Sequence, residues 1–412
     1  MAKIRAFKAV RPVEALVDKI AALPYDVYSS SEARNIVEEN PFSFLKIDRA
    51  ETQFSEDVDM YSRQVYEKAA FTLKEMKRNG ELIQDDTDCL YIYELTMDGR
   101  RQRGLVCLAS IDDYINGIIR RHENTRAEKE LDRINHIDIC NAHTGPIFLA
   151  YRSDEEMKKT IREIVQTKPI YDFLSEDGIG HRVWKISESD KISIITACVG
   201  QMEHLYIADG HHRAASAVKV GLKRRAEHLD YDETEEFNYF LSVLFDESEL
   251  KIFDYNRVVH QIDAQTMEHL LEKVKENFEI VKCEETILKP QKKGEIGMYF
   301  KQKWYLLKER PEIESSDVVD NLDVSLLQNY VLNPIFGIKD PKTDPNIQFV
   351  GGIRGLKELE RIVKGDGMAV AFAMYPTSMK ELLAVADEGR LMPPKSTWFE
   401  PKLRSGLFIH EF

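Results

Sequence analysis

The run YIADGHHRAASAVKVG, residues 206–221, constrains the fold of this chain more than any other segment. Its apolar first part predicts a buried strand that ends at Asp209, and Gly210 allows the chain to turn. The small residues that follow predict a helix over His211–Val220 that is closed by Gly221. A buried strand that leads directly into a helix is typical of α/β proteins, so we expect a mixed α/β (α+β) fold.

The first turn of the predicted helix carries His211, His212 and Arg213. A helix N-terminus presents unpaired N–H groups and a partial positive charge, and it therefore attracts anions. Arg213 can add charge-assisted hydrogen bonds to phosphate oxygens. Asp209 would repel a phosphate unless it binds a metal ion or a substrate hydroxyl, which indicates a phosphate site with a functional carboxylate. Two alternatives stay open, namely a capping role for Asp209 with locally hydrogen-bonded histidines, and a zinc site at the two histidines.

Size and charge set broader limits. A chain of 412 residues exceeds the size at which one hydrophobic core stops growing, so we expect two domains with a boundary near residue 250. The net charge of -14 argues against general electrostatic binding of nucleic acid. The 5 cysteines form no C-x-x-C pair, which fits a reducing compartment and no zinc site. Neither a signal peptide nor a membrane span of ~20 apolar residues is recognisable, so a cytoplasmic protein without membrane partners is expected.

Hydrophobic periodicity predicts the other elements. Two strands are expected to pair through a turn at Asp98-Gly99. The predicted helices begin near Ser31 and cover Asp59–Lys77, much of Asn116–Ala142, Thr266–Asn277, Val324–Leu332, Leu356–Val363 and Ser378–Glu388. The predicted strands cover Cys89–Leu95, Gly104–Ile111, Lys191–Cys198, Glu203–Asp209 and a run that ends near Asp246.

A candidate catalytic base lies near the N-terminus. The motif Pro24-Tyr25-Asp26 combines a rigid turn with a carboxylate that could deprotonate a small hydroxyl substrate. Glu32 is the second candidate for this role. A plain turn or capping role for Asp26 is the alternative.

Two further segments carry candidate residues that would contact substrate or support those that do. The run RHENT contains His122, Glu123 and Thr125, although an exposed, salt-bridged helix face explains most such runs. Near the C-terminus, the run MPPKSTWF contains Lys395, which could reach a phosphate. The alternative for that tail is that it simply wraps the first domain.

Several of these motifs resemble known families. The strand-DGHHRAASA-helix segment resembles the signature of the ParB and sulfiredoxin-like superfamily, in particular the free serine kinases, whose loop reads Asp-Gly-His-His-Arg. Four stretches resemble the bacterial family called domain of unknown function 1015, and they span nearly the whole chain: PYDV, SEARNIVEENPFSFLKIDR, RRHENT with a following DR, and MPPKSTWFEPKLRSGL.

The resemblance implies roles for the loop residues. Phosphate binders would be Gly210, His211, His212 and Arg213, while Asp209 would orient the substrate or Mg²⁺. Sulfiredoxins carry their reactive cysteine at the position of His211, so thiol chemistry is excluded. The serine kinases keep their acidic catalytic residue closer to the loop than Asp26 or Glu32 lie here. The resemblance implies a ParB/sulfiredoxin-like nucleotide-binding domain over residues 1–250, followed by a C-terminal α/β domain over 251–412. The greater distance of the acidic residue from the loop implies an insertion in the first domain at about 59–190.

The functional hypothesis is a kinase that moves a phosphoryl group from ATP or ADP to a small hydroxyl compound, such as free L-serine, with Mg²⁺. The alternatives are a nucleotide-binding regulator of the ParB kind and a nucleotide hydrolase. A carboxylate base near the loop would favour the kinase, and its absence would favour the regulator. The sequence leaves the nucleotide, the acceptor and the oligomeric state undetermined.

Overall fold

The structure, a computed structural model, covers residues 1–412. It divides into two compact units. The first unit contains Met1–Leu250 and the end of the chain, Pro401–Phe412, and the second contains Lys251–Glu400. No helix has the length and apolar character that a membrane crossing requires.

Regular elements alternate along the whole chain. The strands are β1 Ile4–Arg5, β2 Val10–Pro12, β3 Leu82–Gln84, β4 Leu90–Met97, β5 Arg100–Ser110, β6 Ile119–Arg120, β7 Ala142–His143, β8 Ile147–Tyr151, β9 Tyr171–Leu174, β10 Gly180–Ile186, β11 Leu205–Asp209, β12 Tyr239–Asp246, β13 Ile252–Phe253, β14 Tyr255–Val259, β15 Phe278–Glu284, β16 Glu295–Phe300, β17 Lys303–Glu309, β18 Ile347–Gly351, β19 Val370–Met374, β20 Trp398–Phe399 and β21 His410–Glu411. The α-helices are α1 Val17–Ile20, α2 Ser30–Glu39, α3 Leu45–Asp48, α4 Arg63–Arg78, α5 Ile111–Ile115, α6 Ala127–Cys140, α7 Glu155–Ile164, α8 Ser189–Gln201, α9 His211–Glu227, α10 Ala264–Asn277, α11 Asp323–Leu327, α12 Asn333–Phe336, α13 Leu356–Asp366 and α14 Met379–Asp387.

A mixed sheet of 9 strands forms the centre of the first unit, in the order β6-β11-β8-β12-β5-β4-β10-β9, with β1 paired to β5. The pairs β6/β11 and β8/β12 are parallel and the others are antiparallel. The mixed α/β fold expected from the sequence is therefore confirmed. Most of these strands lie between residues 59 and 190, so the segment predicted as an insertion is an integral part of the sheet.

The predicted hairpin between β4 and β5 is confirmed. Asp98 and Gly99 both have positive φ angles, 50° and 76°, as a two-residue turn of the primed type requires. The strands pair in register from Tyr91 opposite Val106 to Met97 opposite Arg100. The residues away from the turn are buried in both strands, and these are the parts with a mostly apolar sequence.

The predicted strand at Lys191–Cys198 is wrong, because these residues lie in α8. The β-branched isoleucines and threonine of this run favour a strand by propensity. The buried side chains, however, are Ile195, Cys198 and Val199, a spacing of three and four residues that is helical. Packing of one helix face decides the structure here, as tertiary context commonly does.

Two predicted helix boundaries also need correction. Gly221 does not close α9, which continues to Glu227. A Cβ atom at Gly221 would lie 2.5 Å from the carbonyl oxygen of Phe237, so the glycine permits close packing inside the helix. Only the second half of the polar segment 116–142 is helical, as α6, and the RHENT run before it is extended or irregular.

The C-terminal segment, Pro401–Phe412, pairs with other parts of the first unit. Strand β21 pairs with β7, and isolated bridges join Val10 to Ile409 and Ala22 to Ser405. The guanidinium of Arg404 donates to the carboxylate of Asp177. This segment therefore packs on β2, β7, Ala22 and the turn that carries Asp177.

The second unit is built on an antiparallel sheet of 6 strands in the order β15-β17-β16-β19-β14-β18. Its core contains Val258, Tyr299, Trp304 and Phe372, all of them buried. A short strand pair, β13 with β20, joins the two ends of this unit.

Candidate functional site

The candidate site begins where β11 passes into α9. Gly210 takes a φ angle of 92°, a left-handed conformation that favours glycine. A Cβ atom there would lie 3.1 Å from Nε of Arg213, so any larger residue would press on the arginine. No side chain caps the N-terminus of α9. Its first N–H groups are therefore available to an anion.

Asp209 lies between two cations. Its Oδ2 atom accepts a hydrogen bond from Nζ of Lys402 at 3.2 Å, and Nη2 of Arg213 lies 3.9 Å from the same oxygen. Oδ1 accepts from the backbone N–H of Gly210 at 2.8 Å. Burial alone would raise the pKa of this carboxyl, but the charges of Lys402 and Arg213 hold it well below its usual range. Asp209 is therefore an ionised carboxylate.

Lys402 is the site residue that the sequence interpretation missed. It belongs to the MPPKSTWFEPKLRSGL stretch, from which Lys395 was selected as the phosphate ligand. The signal that could have identified Lys402 is that it lies in the same family-like stretch as Lys395. Only the bridge of Ser405 to Ala22 and the pairing of β21 with β7 show that this segment returns to the first unit.

The side chain of Arg213 has a second partner besides Asp209. Its Nη1 atom donates to the carbonyl oxygen of Pro146 at 2.7 Å. A Cβ atom at Gly145 would lie 3.4 Å from this Nη1 and 3.1 Å from Oγ of Ser405. The Arg213 side chain is 13% exposed, and its guanidinium is thus positioned before any ligand arrives.

The three histidines of the region are neutral. Burial, above all, lowers the pKa of His122 and of His212 to about 4, and it lowers that of His211 well below its usual value. Nε2 of His212 accepts from the backbone N–H of Arg126 at 2.9 Å, which leaves the proton on Nδ1. The rings of His122 and His211 meet edge to face at 4.5 Å. These side chains can therefore contribute hydrogen bonds but no positive charge.

The RHENT run lies against the start of α9. His122 is buried on His211, and Glu123 is half-buried. Oγ1 of Thr125 donates to Oε2 of Glu130 at 2.8 Å, and the Glu130 carboxylate also pairs with Lys219 of α9. The run thus packs on the helix that carries the loop.

A polar cavity of about 230 Å³ is lined by the Tyr25-Asp26 turn, the end of α3 and residues of α6. Asp26 lies on its wall. Tyr25 lines both this cavity and a smaller one of about 20 Å³, and Arg213 lines the smaller one. The positive charge of Arg213 is among those that act on Tyr25, whose pKa burial raises to about 12. The negative charge of Asp26 likewise acts on His212. The Tyr25-Asp26 turn and the α9 loop are therefore neighbours.

Most charged residues of the large cavity are already paired. Nε of Arg133 donates to Oδ2 of Asp132 at 2.8 Å, and its guanidinium stacks 3.9 Å from the ring centre of Tyr25. Nε of Arg49 donates to Oε1 of Glu51 at 2.7 Å. Asp26, Lys129 and Asp48 take part in no such pair, but Oδ1 of Asp48 accepts a hydrogen bond from Oγ1 of Thr144 at 2.7 Å. Asp26 and Lys129 are therefore the charged groups that the cavity offers most readily to a ligand.

The two remaining candidates are Glu32 and Lys395. Glu32 forms a capping box with Ser29 at the start of α2, where its Oε2 accepts from the Ser29 N–H at 2.8 Å. Its carboxylate is thus committed to the helix end. Lys395 belongs to the second unit, where its ammonium lies 5.6 Å from the ring centre of Tyr255.

Fold and site together define a mixed α/β protein with a candidate anion site at a helix N-terminus. The sequence model of the family described as "Protein of unknown function (DUF1015)" matches residues 4–325. The chain belongs to this family. No curated protein matches it.

Solved structures give distant likenesses. A free serine kinase variant in complex with ADP is 15% identical with a TM-score of 0.37, over 74% of this chain and 92% of that chain. SbnI with a C-terminal truncation, from Staphylococcus aureus, is 12% identical with a TM-score of 0.39, over 74% and 87%. A conserved hypothetical protein from Pyrococcus furiosus is 15% identical with a TM-score of 0.33, over 74% and 94%. We therefore base the proposed function on the geometry of the site.

Proposed function

We propose that this protein is a small-molecule kinase that transfers a phosphoryl group from ATP or ADP to a hydroxyl compound, with free L-serine as the first acceptor to test. One observation carries the proposal. The ionised Asp209 lies at the uncapped N-terminus of α9 and is paired with Arg213 and Lys402. The polar cavity that has Asp26 on its wall lies next to this group.

The donor side needs charge neutralisation, because a transferring phosphoryl group spreads negative charge over its oxygens. The backbone N–H groups of the first turn of α9 can hold these oxygens. Arg213 and Lys402 add two cations, and Nδ1–H of His212 adds a neutral donor. Asp209 keeps both cations in place until the nucleotide arrives.

The acceptor side needs a pocket and a base. A cavity of about 230 Å³ has room for a compound of the size of an amino acid. Asp26 would accept the proton of the attacking hydroxyl as the new P–O bond forms and the bond to the leaving nucleotide breaks. The ammonium of Lys129 would bind a carboxylate of the acceptor, which is the reason for testing serine first.

Magnesium fits this site only as an ion carried by the nucleotide. Asp209 offers one carboxylate, and Lys402 already binds its Oδ2 atom. Mg²⁺ commonly binds one or two carboxylates together with substrate phosphates, and it neutralises their charge. Asp209 would be the protein ligand, and the phosphates would supply the rest.

The decisive experiment is a thermal-shift panel of nucleotides with and without Mg²⁺, followed by a search for phosphorylated products among small amino acids and sugars. A nucleotide at a hundredfold excess over its Kd should add roughly 2.7 kcal/mol to the free energy of unfolding. Binding without any phosphorylated product would favour a nucleotide-binding regulator. Release of phosphate without an acceptor would favour a nucleotide hydrolase. Absence of nucleotide binding would refute the proposal.

A further inference from the structure

The second unit contains a buried arginine without a counter-charge. Arg257 lies on β14 and is 3% exposed. Its guanidinium donates to two backbone carbonyl oxygens, those of Tyr255 and Lys395, the latter at 3.0 Å. The guanidinium also lies 5.4 Å from the ring centre of Phe349, and none of these contacts supplies a negative charge. A buried cation without a counter-charge is costly for a folded protein. Burial accordingly lowers the pKa of Arg257 to about 10.

The acidic residues next to β14 and β20 accept hydrogen bonds from other side chains. Successive side chains of a strand point to opposite faces, so Asp254 and Asn256 lie on the face opposite to Arg257. There, Oδ2 of Asp254 accepts from Nδ2 of Asn256 at 2.7 Å. Glu400, which follows β20, accepts a hydrogen bond from Nε1 of Trp398 at 2.8 Å. The contacts of Arg257 include no carboxylate.

A second cation lies next to the first. Lys395 is exposed, and its carbonyl group binds Arg257. Its φ angle of 58° is left-handed, which is uncommon for a residue with a Cβ atom and is found preferentially at functional sites. Its ammonium lies 5.6 Å from the ring centre of Tyr255, and the Tyr255 phenol acts electrostatically on Arg257. Lys395 thus contacts Arg257 through its carbonyl oxygen and the ring of Tyr255 through its ammonium.

We propose that Arg257, Lys395 and Tyr255 form a second anion site, and that its ligand is a phosphate group. A guanidinium fork, an ammonium and a phenol together match a tetrahedral oxyanion with several acceptor oxygens. The bound phosphate would supply the counter-charge that Arg257 lacks. This site lies in the second unit and does not depend on the proposed kinase function.

The test is a titration of the full chain with inorganic phosphate, and separately with glycerol phosphate, at constant ionic strength. All proteins carry Arg213→Ala, which weakens phosphate binding at the α9 loop, and any remaining contribution of that loop is common to all of them. Calorimetric binding and thermal unfolding are compared for this parent and for Lys395→Gln, Arg257→Met and Lys301→Gln. Lys301 is the matched control, because it also has a left-handed φ angle, 46°, and an ammonium over an aromatic ring, but no buried arginine beside it.

We expect phosphate to raise the melting temperature of the parent and of Lys301→Gln equally. Lys395→Gln should bind at least about tenfold more weakly. Arg257→Met should lose the phosphate-dependent shift and, without phosphate, should be at least as stable as the parent, because a well-packed apolar residue replaces an unpaired charge. A preference for glycerol phosphate over inorganic phosphate would identify a phosphate ester as the ligand, and the reverse would identify the free ion.

Equal phosphate binding by the parent and Lys395→Gln would overturn the proposal. So would an Arg257→Met protein that melts below the parent without phosphate while Lys395→Gln binds normally, because Arg257 would then be a structural hydrogen-bond donor. If Arg257→Met does not fold, the comparison of Lys395→Gln with Lys301→Gln decides. Failure of nucleotide binding in the wild-type protein leaves these readings unchanged.

Discussion

Replacement of Lys402 by methionine separates its structural role from its functional one. At 3.2 Å, its charge and that of Asp209 interact by roughly 5 kcal/mol at an effective dielectric constant of ~20. The Asp209 side chain is 35% exposed, so desolvation, screening and side-chain entropy leave about 1 kcal/mol for the pair. This corresponds to a melting temperature lower by about 2–4 °C. Loss of a charged contact to a nucleotide phosphate is larger, about 1.5–3 kcal/mol, or roughly 10- to 150-fold in Kd.

The assay combines calorimetric nucleotide binding with urea unfolding of Lys402→Met. Lys77→Met is the matched control, since Lys77 forms an ion pair with Glu411 in the same unit at similar exposure. Both variants should lose similar stability, but only Lys402→Met should lose nucleotide affinity. Unchanged affinity in Lys402→Met would refute the reasoning and would reduce Lys402 to a counter-ion of Asp209.

The pH dependence of this pair has a definite sign. The pKa of Asp209 is depressed in the folded state, so its stabilisation is present above the unfolded value of ~3.9 and is lost as the pH falls through the folded value. The difference in unfolding free energy between wild type and Lys402→Met should be constant near neutral pH and should shrink below about pH 4. A difference that grows on acidification would contradict the assignment.

Further predictions concern the loop and the base. Arg213→Ala should weaken calorimetric nucleotide binding by about 1.5–3 kcal/mol with unchanged circular dichroism, and normal binding would place the phosphate site elsewhere. Asp209→Asn should keep nearly normal affinity but lose turnover in a product assay, whereas full activity would leave Asp209 a capping role. Asp26→Asn should lower turnover by roughly 10²- to 10⁴-fold, while Glu32→Gln keeps turnover and loses only about 0.5–1 kcal/mol of stability. Equal turnover of the Asp26 and Glu32 variants would favour the regulator. Mg²⁺ without nucleotide should not shift the melting temperature, and a shift would reveal a separate metal site.

Local sequence patterns were sufficient where local forces decide the structure. The hairpin at Asp98-Gly99, the capping box of α2 and the passage from β11 through Gly210 into α9 follow from turn chemistry and side-chain periodicity. Where packing overrides propensity, the same reasoning failed. The isoleucine-rich α8 and the helical Gly221 are the examples, because burial of one helix face and a close approach to Phe237 decide them.

The sequence by itself therefore determined the family, the mixed fold and the strand-loop-helix segment that carries the candidate site, since each depends on residues that are neighbours along the chain. Only the tertiary structure decided which distant residues meet that loop. Lys402 reaches Asp209 across 193 residues, while Lys395 in the same stretch belongs to the second unit. Asp26 lines the cavity, whereas Glu32 caps a helix. The physical reason is that an ion pair depends on distance in space, which the strand order and the return of the C-terminal segment set, and no local pattern records either.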